Sequence, residues 1–226
     1  GFYTIMAAQF FSSLADNALF VAAVQMLRAD KAPDWQQAAL VPMFALFYVI
    51  LAPFVGAFAD SMPKGKVMFI SNAIKVLGCL LMLVSVHPLL AYAVVGLGAA
   101  AYSPAKYGIL TELLPASQLV KANGWIEGLT IASIILGVLL GGQLVGPRMS
   151  SMLLGFDLPL FDTGVDTPAE AAIAVLVAVY GIAAWFNTRI PDTGVALKSM
   201  RTDPAHGLLI NLARLLPDFW SCNKRL

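Results

Sequence analysis

The chain has 226 residues, 59% of them hydrophobic and only 12% charged, with a formal net charge of +1 and a mean hydropathy of +0.80. Soluble domains carry roughly a quarter charged residues, so this composition excludes a water-soluble globule and marks a membrane protein. The near-neutral balance gives no footing to a nucleic-acid partner. Two cysteines (Cys79, Cys222) and two histidines (His87, His206) are too few and too far apart for a disulfide framework or a metal site. No cofactor is expected.

Six stretches reach transmembrane length: 2–27, 38–59, 67–86, 89–113, 118–146 and 168–188. Backbone groups in lipid must be satisfied internally, so an all-α six-helix bundle over 1–190 follows. The first stretch is too long, and lacks the small-residue cleavage pattern, to be a signal peptide. Its only charged side chain is Asp16, beside Asn17, in FFSSLADNALF. The 60–66 connection is short and basic, His87-Pro88 is almost no loop, and 148–167 is longer, with Asp157, Asp162 and Asp166. Beyond the sixth stretch, 203–220 places Leu208, Leu209, Leu212, Leu215 and Leu216 at helical spacing. This predicts, within 191–226, an amphipathic linker on the inner membrane surface or packed between two halves of a larger protein. The missing initiator Met and the uncapped end at Leu226 fit a piece of a longer chain.

Lys and Arg resist translocation. Placing the connections after spans two, four and six inside gathers Lys64, Lys66, Lys121, Arg189, Lys198, Arg201, Arg214, Lys224 and Arg225 there, and leaves only Arg28, Lys31 and Arg148 outside. Both ends are then cytoplasmic.

Four charges stand out deep within the spans: Asp16, Lys75, Lys106 and Glu127. Each costs at least about 2.5–3.5 kcal/mol on insertion scales, so such groups face a cavity or a partner. At 1.5 Å per residue Asp16 lies about 22 Å along its helix, past the midplane. It either serves a cavity or is a structural carboxylate bonded to a neighbouring helix. Lys75 and Glu127 lie about 12 and 13 Å from the inner ends of theirs. Lys106, late in an inward-running helix, reaches the inner half too. Glu127 is therefore expected to pair with Lys106 or Lys75; Lys75 can alternatively snorkel to the inner surface. Pro104 removes a backbone donor just before Lys106 and is expected to interrupt that helix, leaving the ammonium placed to meet an anionic ligand. Tyr102 and Tyr107 either line the same opening or pack against neighbouring helices. Gly137-x-x-x-Gly141 and Gly142-x-x-x-Gly146 permit close helix approach.

GAFADSMPKGKVM, with Gly56, Asp60, Lys64 and Lys66, resembles the gate loop between the second and third helices of the major facilitator superfamily. Ser61 stands where an arginine is usual, Pro63 replaces a glycine, and Gly65 interrupts the basic pair. Gly128-x8-Gly137-x3-Gly141 is similar to the antiporter motif of the fifth helix, with Gly142 in place of its proline, so antiport is not implied. AAQFFSSLADNALF, AAAYSPAKYGILTELLP and LVKANGWIEG together resemble the bacterial lysophospholipid transporters of that superfamily. The likeness runs from span one into span five.

This resemblance implies the N-terminal half of a two-half transporter in the bacterial inner membrane. Its cargo would be lysophosphatidylethanolamine and lysophosphatidylglycerol, moved toward the cytoplasmic leaflet for re-acylation by an acyltransferase/acyl-carrier-protein synthetase. Asp16, Asn17, Tyr102 and Lys106 would form the headgroup cavity, and Lys75 and Glu127 a charge network beside it. Alternatives are a permease or exporter of another amphipathic solute, or a non-transporting scaffold for a lipid-modifying enzyme. HExxH, GxSxG and nucleotide-binding loops are absent from the sequence, which argues against an enzyme.

Overall fold

The computed structural model describes residues 1–155 and 166–194, the side chains of 53 and 57 aside. They form seven helices: α1 (Phe2–Ala29), α2 (Asp34–Asp60), α3 (Lys64–Leu83), α4 (Pro88–Leu113), α5 (Ala116–Leu144), α6 (Pro147–Leu154) and α7 (Pro168–Thr188). All but α6 are long and apolar enough to cross a membrane. Every helix after the first begins at a proline, as N-cap at Pro33, Pro63 and Pro115 and in the first turn at Pro88, Pro147 and Pro168. Proline suits this position because the first amides of a helix have no intrahelical acceptor to lose. At α7 a capping box is added: Thr167 accepts from the Glu170 amide and Glu170 from the Thr167 amide.

The structure departs from the sequence expectation at four places. α2 and α3 begin at Asp34 and Lys64 rather than at 38 and 67, because their first turns are polar and carry no hydrophobic signal. The connection after α5 contains the short α6. α4 continues through Pro104, so the proline removes one backbone donor without breaking the helix. The amphipathic segment 203–220 lies outside the described residues.

The helices pack in the order α5–α1–α7–α3–α4–α2, a horseshoe in which α1 and α4 face each other with few direct contacts. The apolar stretch of α4 is 72% buried but that of α5 only 22% and that of α2 6%, so the two ends of the horseshoe carry the exposed faces. Lipid is as apolar as leucine, so helix association here rests on close packing more than on water expulsion. Small residues provide it: a Cβ on Gly98 would sit 2.6 Å from the Ser71 carbonyl oxygen, and one on Gly137 2.6 Å from that of Leu14. Gly141 continues the α1 contact against Ala18, whereas Gly142 faces open space and Gly146 meets only its own turn, so that second pair makes no helix crossing.

One large apolar cluster, with Leu19, Leu27, Leu40, Met82, Val95 and Ile173, fills the end away from the 60–64 loop. Two smaller ones, around Val67, Met68 and Ile109 and around Leu110 and Ile126, fill the loop end. A polar layer separates them.

Candidate functional site

That layer starts from helical periodicity. Ser12 and Asp16, four apart on α1, share a face, as do Asn72 and Lys75, three apart on α3. The two faces meet: Lys75 Nζ donates to Asp16 Oδ2 at 2.7 Å and to Ser12 Oγ at 2.9 Å, and Ser12 Oγ donates to Asn72 Oδ1 at 2.7 Å. From α7, the Tyr180 hydroxyl donates to Asp16 Oδ1 at 2.7 Å. Both carboxylate oxygens are thus engaged within the bundle. Lys75 is 2% exposed, and Gly98, whose Cβ would lie 2.7 Å from Lys75 Cγ, gives its stem room against α4.

Lys75 therefore does not snorkel, and its partner is Asp16 rather than Glu127. The depth estimate separated Asp16 from Lys75 because it began α3 three residues late and placed all helix ends at one height. Starting at Lys64, α3 carries Lys75 about 16 Å along, and its four-carbon stem covers the remaining distance. The Ser12/Asp16 and Asn72/Lys75 spacings were the available signal for the pairing. Tyr180, a lone tyrosine in an apolar span, had none.

Glu127 belongs to Lys106. Lys106 Nζ lies 3.9 Å from Glu127 Oε1 and 4.4 Å from the centre of the Tyr107 ring, and the Tyr107 hydroxyl donates to Glu127 at 2.6 Å. The pair is loose: Lys106 is buried, while the Glu127 side chain is 50% exposed. A half-solvated partner at that distance contributes little, so Lys106 is the cation of the layer that a ligand can claim.

Lys106 opens into a polar cavity of about 140 Å³, walled by Ser12, Ser13 and Asp16 of α1, Tyr48 of α2, Lys75 of α3, Tyr102 and Ser103 of α4, and Thr130 of α5. Gln9 completes the α1 wall and donates to Thr130 Oγ1 at 3.1 Å. Tyr102 is buried, with Lys75 Nζ 5.2 Å from its ring centre, and its hydroxyl has no hydrogen-bond partner. Buried polar groups are rarely left unpaired, so this hydroxyl is a free donor beside a buried ammonium. Asn17 lies apart from these walls: its amide donates to the Ser13 carbonyl and its Cβ faces Gly137.

At the loop end, Lys64 Nζ donates to Asp60 Oδ1 at 2.6 Å and to the Ala59 carbonyl at 2.8 Å, closing the α2–α3 turn. Glu112 at the end of α4, unremarked in the sequence although it stands in YGILTELLP, lies 3.8 Å from Lys64 and accepts from Thr193 Oγ1 at 2.6 Å. One lysine thus joins α2, α3 and α4, and through Glu112 the strand of chain after α7. Lys66 is exposed, and Gly56 faces open space. Among the described residues no His/Cys/Asp/Glu group is arranged to hold a metal.

A sequence model of the Major Facilitator Superfamily matches residues 5–220. Curated relatives called Lysophospholipid transporter LplT are similar over most of the chain. The Yersinia enterocolitica protein is 42% identical over 196 residues, covering 87% of this chain and 44% of the relative. The Photorhabdus laumondii protein is 42% identical, covering 93% and 50%, and that of Yersinia pestis (strain Pestoides F) 41%, covering 94% and 48%. The chain spans about half the length of the curated relatives it matches.

Proposed function

The chain belongs to the Major Facilitator Superfamily, and from that premise we propose that it is the N-terminal half of a lysophospholipid transporter of the bacterial inner membrane. Its cargo is lysophosphatidylethanolamine and lysophosphatidylglycerol, taken from the outer toward the inner leaflet, where a cytoplasmic acyltransferase/acyl-carrier-protein synthetase re-acylates it. The single observation that carries the reading is Lys106, a buried ammonium with a distant, half-solvated counter-ion, opening into a polar cavity between five spans.

The cargo has a phosphodiester anion, which Lys106 and the unpartnered Tyr102 hydroxyl suit. It has a polar glycerol or ethanolamine end, which Gln9, Ser13 and Ser103 suit, and one acyl chain, for which the exposed apolar faces of α2 and α5 at the horseshoe mouth offer a path. The names of the relatives support the same substrate class. Lys64, Lys66, Lys121 and Arg189 lie at one end of the bundle, and Arg28, Lys31 and Arg148 at the other. The larger basic set favours the cytoplasm for the gate loop and both chain ends. The Asp60–Lys64–Glu112 cluster then acts as a latch on the cytoplasmic side.

The test uses membrane vesicles carrying the full-length protein, with the acyltransferase and its acyl donor on the cytoplasmic face only. Lysophospholipid added to the opposite face should be acylated, and Lys106→Gln should abolish most of that signal. Acylation no faster than in protein-free vesicles overturns the proposal.

A further inference from the structure

A second crevice, of about 270 Å³, opens at the gate-loop end between the start of α3 and the end of α7, away from the central cavity. Pro63, Lys66 and Phe69 form one wall, and Asn187, Ile190 and Asp192 the other. Asn187 is 1% exposed, yet neither its amide nitrogen nor its oxygen has a hydrogen-bond partner. A buried amide with both ends unpaired marks a place where a polar group is missing.

The surrounding electrostatics say which kind. α3 has no side-chain cap, so its first amides, those of Lys64 and Gly65, have no intrahelical acceptor at a helix end that attracts anions. Lys66 is exposed and has no ion-pair partner among the described residues. The one acidic wall residue, Asp192, already accepts the Gly194 amide at 3.2 Å. Gly65 closes the floor, since a Cβ there would lie 3.1 Å from Ile190. Above this anion-favouring end Phe69, 42% exposed, presents an apolar ring on the outer face of α3.

We propose that this crevice holds the headgroup of a resident anionic phospholipid, with its phosphate on Lys66, the first α3 amides and Asn187 Nδ2, and its glycerol and chains along Phe69. The ligand is a bilayer component, bound outside the transport path. It braces the α3–α7 junction next to the gate loop.

Full-length protein in nanodiscs of phosphatidylcholine with one-fifth phosphatidylglycerol, released for native mass spectrometry, measures the retained lipid. Wild type should keep one phosphatidylglycerol in preference to phosphatidylcholine. Lys66→Gln, an exposed change compatible with folding, should lower that retention at least fivefold. Asn187→Asp, which keeps the shape and repels phosphate, should do the same, and Lys106→Gln should leave it unchanged. Wild-type retention in both Lys66→Gln and Asn187→Asp overturns the proposal, as does loss with Lys106→Gln alone, which would place the lipid in the central cavity. Displacement by millimolar glycerol phosphate without lipid also overturns it, since the site would then take a free anion.

Discussion

Lys75 and Tyr180 divide one carboxylate between them: the ammonium takes Asp16 Oδ2 and the phenol takes Oδ1, each at 2.7 Å, so Asp16 ties α1 to α3 and to α7. The group that stands out most sharply in the sequence is a three-helix joint bordering the cavity. Lys106, on α4, borders the same cavity with only a loose counter-ion.

Removing one member of a buried ion pair strands the other, at about 3–5 kcal/mol. Asp16→Asn should therefore lower the yield and melting temperature of the folded protein, and Asp16→Asn combined with Lys75→Met should restore most of both. A thermal melt monitored by size exclusion reads the coupling directly. A double variant no more stable than Asp16→Asn alone contradicts the pairing.

If the proposed cargo binds with Asp16 still engaged, its ethanolamine ammonium should turn to the half-exposed Glu127 beside Lys106. Glu127→Gln should slow flipping of lysophosphatidylethanolamine more than that of lysophosphatidylglycerol. Lys106→Gln should slow both, by about 10- to 100-fold if one charge-assisted contact of roughly 1.5–3 kcal/mol is lost. Parallel acyltransferase-coupled rates for the two lipids decide it; equal losses in Glu127→Gln would remove Glu127 from headgroup recognition.

The glycines of α5 should not be equivalent. Gly137→Ala drives a methyl into the Leu14 carbonyl and should destabilise by about 1–3 kcal/mol. Gly142→Ala, which meets nothing within 4 Å, should be tolerated. Comparable melting temperatures for the two would show that α1 and α5 do not cross as described.

Orientation is checked with single cysteines in a background lacking Cys79 and Cys222. A cysteine at Asp30, in the α1–α2 connection, should react with an impermeant thiol reagent from the periplasm, and one at Pro191 only after the membrane is opened. The opposite pattern would turn the gate loop outward.

Span number and the identity of the buried charges were legible in the sequence because lipid permits few alternatives: about 20 apolar residues make a helix, and a charge among them is conspicuous. Pairing was legible only in part. Counting residues brought Glu127 to the depth of both Lys106 and Lys75 and left the choice open; the lateral order of the helices, which counting does not give, decides for Lys106. Asp16 and Lys75 depend on where α3 starts and how its stem crosses to α1, which counting from the apolar boundary misplaces. Glu112 and Asn187 lie near helix ends, where polar residues are ordinary, so only their surroundings distinguish them. The α6 turn was hidden for the same reason, being short and mostly polar at its start.

Asp16 and Lys75 are 59 residues apart, and Tyr180 follows Asp16 by 164. At a synthesis rate of about 5–20 residues per second, Asp16 leaves the ribosome roughly 3–12 s before its counter-ion exists. During that interval α1 carries an unneutralised carboxylate with an insertion penalty of about 2.5–3.5 kcal/mol. α1 therefore gains its counter-ion only once α3 has been made, and the second hydrogen bond to its carboxylate only once α7 has followed. The joint thus closes in two steps that follow chain order within these helices, lysine first and phenol second.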